Sequence, residues 1–223
     1  MKTFFMAGTN TEVGKTEISC GLLHALGNKG YSSLAIKPIA AGVLSGGQCN
    51  DDALKLQKSM SLELTYEEIN PVLFKSPIAP HIAAEREGVE LCVQHLVNHV
   101  KKIKNKYDDA DYCLIEGAGG WHTPLGIDCF LSDVPVQLNT PVILVVDMTL
   151  GCLNHAILTS QAIKQSGLEL HSWVANSPRE SKMDAYEENV SSLKKIIPAP
   201  CLAEIPFCKD RSEWADIFDL ALI

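Results

Sequence analysis

The densest chemistry in the chain lies near its amino end, in Gly8-Thr9-Asn10-Thr11-Glu12-Val13-Gly14-Lys15-Thr16. A short apolar run precedes this segment and a helical pattern follows it, the setting that a phosphate-binding loop requires. Its glycines let the backbone curl so that successive N–H groups point inward at a polyphosphate. The following helix adds the positive end of its dipole. Lys15 then reaches the β- and γ-phosphates as a point charge, and the Thr16 hydroxyl is a ligand for Mg²⁺. The usual pattern has four residues between the first glycine and Gly-Lys-Thr, whereas five stand here.

A phosphate loop needs a carboxylate for its metal, and Ile115-Glu116-Gly117-Ala118-Gly119-Gly120 supplies one. Glu116 ends an apolar run and precedes a turn of small residues, so it is expected at the carboxyl edge of a sheet, where it can hold Mg²⁺ directly or through water. Asp51 and Asp52 form a second acidic candidate, and composition alone fits them equally to a helix N-cap. Lys37 ends another apolar run just before Pro38. With Lys15 it brings two cations together in an acidic protein, an arrangement that is repulsive unless an anion sits between them.

The elements that position these groups read as alternating strands and helices. Short apolar runs at 3–7, 32–36, 112–115, 142–146, 171–175 and 202–205 have strand length. They lack polar alternation, so strands covered on both faces are expected. Ile18, Leu22, Ala25 and Leu26 mark a helix over 15–28, with Gly27 and Gly30 as stop signals. Val93, Leu96, Val97, Val100 and Ile103 mark a second helix, closed by the lysines of 101–106, which suit a helix C-terminus. Met183, Tyr186, Val190, Leu193 and Ile197 mark a third. This order predicts an α/β fold: a doubly wound, mostly parallel sheet flanked by helices, of the P-loop NTPase type, in one domain over 1–223. Residues 38–88, with their Gly, Pro and Asn content, are expected as loops and short helices over the carboxyl edge of the sheet.

Composition narrows the function. The 223 residues are 46% hydrophobic, enough for a sizeable core, and 19 Lys and Arg against 27 Asp and Glu leave a net charge of −8. That balance argues against nucleic-acid binding and against a polybasic membrane surface. No apolar run approaches the roughly 18 residues of a membrane span. The start Met1-Lys2-Thr3-Phe4-Phe5-Met6 lacks the apolar segment of a signal peptide, so a cytoplasmic protein is expected. The eight cysteines form no C-x-x-C pair and read as reduced core thiols. His95 and His99 share a helix face without a third ligand and, like Trp121 and Trp173, are assigned to packing or surface roles.

Taken together, the phosphate loop, Lys37-Pro38, Asn70-Pro71, Ser76-Pro77, Ala79-Pro80-His81-Ile82 and Glu116-Gly117-Ala118-Gly119-Gly120-Trp121 resemble dethiobiotin synthetase. So do Leu150-Gly151-Cys152-Leu153-Asn154-His155, Trp173-Val174-Ala175-Asn176, Ile197-Pro198-Ala199-Pro200 and Glu204-Ile205-Pro206. The resemblance runs through nearly the whole chain in order, and the five-residue spacing is this family's own variant. It implies an ATP- and Mg²⁺-dependent ligase that takes up CO₂ on one amine of 7,8-diaminononanoate and closes a cyclic urea.

By matching positions, the resemblance puts Thr11, Lys15 and Lys37 at the carbamate and the transferring phosphoryl group, and Thr16, Asp52 and Glu116 at Mg²⁺. Glu12, Val13, Gly14, Lys15, Thr16 and Glu17 wrap the phosphates, joined by Gly117, Ala118 and Gly119. Asn176 and Ser177 lie at adenine; Pro206, Phe207, Cys208 and Glu213 line base and ribose. The family works as a homodimer with substrate at the interface, where Ala41 and the partner's helix start at Leu153 and Asn154 meet it. Ala41 stands where the family often has a hydroxyl residue, and Ser177 where Asp is usual. A rival reading, a nucleotide-switch ATPase, asks for a signature Lys five residues before Lys15, where this chain has Asn10. A second alternative is a catalytically impaired nucleotide-binding paralogue.

Overall fold

Each apolar run forms a strand close to its expected bounds. The computed structural model describes residues 1–44, 47–207, 214 and 216–223. Its strands are β1 (Lys2–Gly8), β2 (Ser33–Ile36), β3 (Ile39–Ala41), β4 (Val72–Phe74), β5 (Tyr112–Glu116), β6 (Val142–Asp147), β7 (Leu170–Asn176) and β8 (Cys201–Ile205). Its helices are α1 (Lys15–Asn28), α2 (Asp51–Ser59), α3 (Tyr66–Ile69), α4 (Pro80–Glu87), α5 (Val93–Lys106), α6 (Asp133–Leu138), α7 (Cys152–Gln165) and α8 (Tyr186–Ile196). A 3₁₀ turn at Leu220–Leu222 comes last.

Six strands make one parallel sheet in the order β2-β5-β1-β6-β7-β8. β1 sits inside it, and the chain builds first to one side and then to the other. The segment after β1 therefore leaves the sheet where strand order reverses, the place where such folds open a crevice. Both faces are covered: β2 and β5 are buried throughout, as are Val142 to Val146 of β6. Continuous apolar runs, rather than alternating ones, follow from that double coverage.

The differences from expectation are local. Gly27 does not stop α1 but lies in its last turn; Gly30, at φ 82°, makes the exit. Met183 precedes α8, which begins only after Ala185 adopts φ 54°. Within 38–88, besides α2, α3 and α4, β3 and β4 form a two-stranded parallel sheet. Strands of three residues are too short to carry a periodic signal. Trp173 and Trp121 pack in the core, Trp121 edge-on to Phe5. His99 meets the Glu68 carbonyl through Nε2 at 2.8 Å. Among the described residues, Cys49, Cys92, Cys113, Cys129, Cys152 and Cys201 are free thiols, and no described helix is long and apolar enough to cross a membrane.

Candidate active site

Sheet register brings the first two site residues together. Ile36 of β2 lies across from Ile115 of β5, so Lys37 and Glu116 leave the sheet as neighbours. Lys37 Nζ is 2.7 Å from Glu116 Oε1, and the two residues are 3% and 0% exposed. Lys37 is thus no strand-end cation reaching for water. On the other side of β5, Met6 pairs with Glu116, which sets the segment after β1 beside the same carboxylate.

That segment curls because of its glycines. A Cβ on Gly8 would stand 2.7 Å from Val13 Cγ2 and 2.9 Å from Lys15 Nζ. Gly14, at φ 87°, would bring a Cβ to 2.3 Å from Asn176 Nδ2. Glu12 takes φ 61° without being glycine, a backbone strain typical of ligand-holding loops. Lys15 folds back from the start of α1, and its ammonium donates to Asn10 O at 3.2 Å and Gly119 O at 2.5 Å. The Thr16 hydroxyl donates to Glu116 Oε1 at 2.7 Å.

The structure also separates Asp51 from Asp52. Asn50 is the N-cap of α2, its side chain accepting from Ala53 N, so both aspartates lie in the first turn. Asp51 pairs outward with Lys55, which also pairs with Glu17, whereas Asp52 Oδ2 reaches Lys37 Nζ at 3.2 Å. Two carboxylates of the chain itself therefore accompany the paired cations.

The charges respond accordingly. Burial works against the charge on Lys37, but Glu116 and Asp52 outweigh it and its pKa rises. Burial likewise resists ionisation of Asp52, and Lys37 overcomes it, so the carboxyl titrates below its ordinary range. Lys15 differs: burial, then the repulsion of Lys37, lowers it to about 8 despite Glu116 and Asp52. A lysine with a lowered pKa costs folding stability below that value, and the cost fades as pH rises toward 10.5. Lys15→Met is therefore expected to raise the stability of nucleotide-free protein at pH 7 by about 1–3 kcal/mol, with a smaller gain at about pH 9, past the lowered Lys15 value. Urea unfolding at both pH values measures it; a loss of stability at pH 7 contradicts the assignment.

Thr16, Asp52 and Glu116 fit a hard divalent cation. All their donors are oxygens, as Mg²⁺ prefers. Glu116 Oε2 is buried and has no hydrogen-bond partner among the described residues, although Oε1 takes both Thr16 and Lys37. A buried carboxylate oxygen is costly to leave unmet. Among the described residues no group of three His, Cys, Asp or Glu side chains forms a protein-only metal cage.

These groups floor a cleft of about 770 Å³. Thr11, Glu12, Gly14, Lys15, Thr16, Glu17, Lys37, Ala41, Asp52, Gly117, Ala118 and Gly119 line it. Val13 is buried beneath the loop, and Glu116 behind Lys37 and Thr16. Asn176 is buried too, its amide donating to Val13 O at 2.8 Å. Ser177 lies beside the main cleft, in a smaller pocket of about 120 Å³ with Pro178 and Arg179. Pro206 and Phe207 are exposed after β8, and Leu153 and Asn154 occupy the first turn of α7. None of these four lines the cleft. Cys208 and Glu213 lie outside the described residues.

Sequence reasoning missed Thr123 and Asn50 as cleft residues. Thr123 Oγ1 donates to Ala118 O at 2.7 Å, with Gly120 O at 3.0 Å, and so braces the turn that offers Gly119 O to Lys15. Its only signal was a hydroxyl three residues after a glycine pair. Asn50 was legible as a cap candidate before two aspartates.

The AAA domain family model matches residues 2–213. An ATP-dependent dethiobiotin synthetase BioD of Pseudomonas paraeruginosa is 46% identical over 219 residues, covering 96% of this chain and 94% of the relative. The chain belongs to the dethiobiotin synthetase family. It is accordingly a ligase of biotin biosynthesis that forms C–N bonds. Proteins of the same name from Cellvibrio japonicus, 45% identical over 92% of this chain and 89% of the relative, and from Serratia marcescens, 38% identical over 100% and 98%, agree. Among solved structures, the MinD cell division protein of Aquifex aeolicus matches 97% of this chain and 86% of its own with a TM-score of 0.60 at 14% identity. A ParA family ATPase of Chlorobium tepidum matches with a TM-score of 0.56 at 18% identity, over 97% and 88%. Those likenesses show the fold, that of P-loop NTPases, as expected from the sequence.

Proposed function

We propose that this dethiobiotin synthetase family member carboxylates 7,8-diaminononanoate with CO₂ and closes the ring to dethiobiotin, converting ATP to ADP and phosphate, with its 223 residues acting as one cytoplasmic domain in a homodimer. One amine adds to CO₂ and loses a proton to give a carbamate. A carbamate oxygen attacks the γ-phosphorus and ADP leaves. The second amine attacks the carbonyl carbon, and phosphate leaves as the C–N bond forms and the proton departs.

The chain's own part is positioning and charge. Lys37 and Thr11 face the carbamate and the transferring phosphoryl group, and Lys15 neutralises charge on the phosphates. Thr16, Asp52 and Glu116 would hold Mg²⁺, which when bound would supply positive charge to the phosphates. Glu12, Val13, Gly14 and Glu17 with Gly117, Ala118 and Gly119 surround the phosphates. Asn176, Ser177, Pro206, Phe207, Cys208 and Glu213 serve base and ribose, and Ala41 faces the diamine. Leu153 and Asn154 of the partner subunit's α7 receive the substrate carboxylate, since a helix N-terminus favours an anion. Leu150, 94% exposed just ahead of that helix, is apolar surface consistent with burial in a dimer. Holding the second amine beside the anhydride makes ring closure unimolecular, worth on the order of 7 kcal/mol or more when alignment is good.

The observation that carries this reading is the buried Glu116 carboxylate behind the floor of the phosphate-loop cleft, shared by Thr16 and Lys37 through one oxygen and, among the described residues, unpartnered at the other. The test is incubation with ATP, Mg²⁺, ¹³C-bicarbonate and 7,8-diaminononanoate, followed by mass spectrometry. Dethiobiotin carrying one ¹³C is expected; unchanged diamine alone refutes the reading.

A further inference from the structure

Lys37 and Asp52 come from different elements, and a chain of hydrogen bonds running from the cleft wall at Asn50 to Tyr66 and Asn70 behind it ties them together. Short helix α3 grips the Lys37 backbone on both sides: Lys37 N–H donates to Ile69 O at 2.8 Å, and Asn70 Nδ2 donates to Lys37 O at 2.8 Å. Asn70 Oδ1 in turn accepts from the Tyr66 hydroxyl at 2.9 Å. The same phenolic oxygen accepts the Asn50 N–H at 2.7 Å. Asn50, two residues before Asp52, then caps α2 through Ala53 N, and its amide donates to Gly42 O at 2.9 Å. The circuit closes where Asp52 meets Lys37.

The rear of α3 is anchored as well. Thr65 and Glu68 form a capping box, and the Glu68 carboxylate also meets Lys106 and Tyr107 at the end of α5. Asn50 and Asn70 are buried, yet Tyr66 does not line the cleft. A hydroxyl that donates to one asparagine and accepts from the other's backbone fixes both ends of the link with one atom.

We propose that Tyr66 is a positioning residue for phosphoryl transfer, its hydroxyl setting the placement of the Lys37 ammonium against the Asp52 carboxylate. The kinetic part rests on the reaction proposed above. Tyr66→Phe keeps the ring and removes the link, so the fold is retained. It is expected to lower kcat about tenfold, since small misplacements of a charged group are costly in the transition state, with KM for ATP changed by less than about twofold. In an Asp52→Asn background the same change is expected to cost less than about twofold, because a shared partner makes effects non-additive. The four proteins are also compared in urea without nucleotide, where the stability losses are expected to be non-additive in the same way. Equal effects in both backgrounds, a change in KM alone, or a Tyr66→Phe enzyme matching the parent overturns the proposal. If the parent makes no dethiobiotin, the reaction reading fails, while additivity or non-additivity in urea still decides the role of Tyr66.

Discussion

Lys37→Ala is expected to lower turnover by about a hundred- to a thousandfold, the usual loss when one preorganised charge at a developing anion is removed, while ATP still binds. The ammonium is buried at the cleft floor, 2.7 Å from Glu116 and 3.2 Å from Asp52. Its proposed partners are the carbamate and the γ-phosphoryl, which gather charge only as the reaction proceeds, so its loss should fall on kcat. The phosphate loop, Lys15 and Thr16 remain for the nucleotide. Stability should fall too, because Glu116 then stays buried without its cation, at a cost of about 3–5 kcal/mol. Calorimetric titration of ATP beside steady-state rates checks both parts. Near-normal turnover would reduce Lys37 to a structural ion.

Glu116→Gln is expected to be the second severe change. The amide keeps an acceptor for Thr16 but removes the charge that, against the pull of burial, raises the Lys37 pKa. Breaking a buried pair from one side costs about 3–5 kcal/mol, and loss of an oxygen proposed to hold the metal should raise the Mg²⁺ concentration for half-maximal activity by about tenfold or more. The pH dependence distinguishes this pair from Lys15. A raised lysine contributes stability that is full below its unfolded value and lost only as pH climbs through the folded one. A lowered Asp52 contributes stability that is full above its unfolded value and lost as pH falls through the folded one. The cost of Glu116→Gln should therefore be flat between about pH 5 and pH 9, whereas the gain from Lys15→Met declines across the upper part of that interval. Urea midpoints across the range decide it; a steep slope near neutrality for Glu116→Gln would mean that the pair is mis-assigned.

Much of this architecture was legible in the chain. Uninterrupted apolar runs of strand length, rich in β-branched residues, such as Val142 to Val146 fit strands covered on both faces, and α1 appears with the bounds its stripe and the preceding glycine imply. Glu116 and Lys37 each end an apolar run, so their place at the carboxyl edge followed from residue type and position. Their pairing did not, because it depends on the register of β2 against β5, which no local pattern encodes. Asp52 could not be told from Asp51 by composition; one turn of α2 points the first at Lys55 and the second at Lys37. The circuit through Asn50, Tyr66 and Asn70 was invisible for the same reason: its members are polar residues in a segment of short elements, related only after β3 and β4 pair.

The most direct measurement is ADP release with ATP and Mg²⁺ supplied, with 7,8-diaminononanoate and bicarbonate added singly and together. If the cleft aligns a carboxylated amine with the γ-phosphate, ADP should form at a substantial rate only when both are present, in a one-to-one ratio with dethiobiotin. Steady ADP release that ignores the diamine would contradict the account and identify the phosphate loop as that of a nucleotide switch.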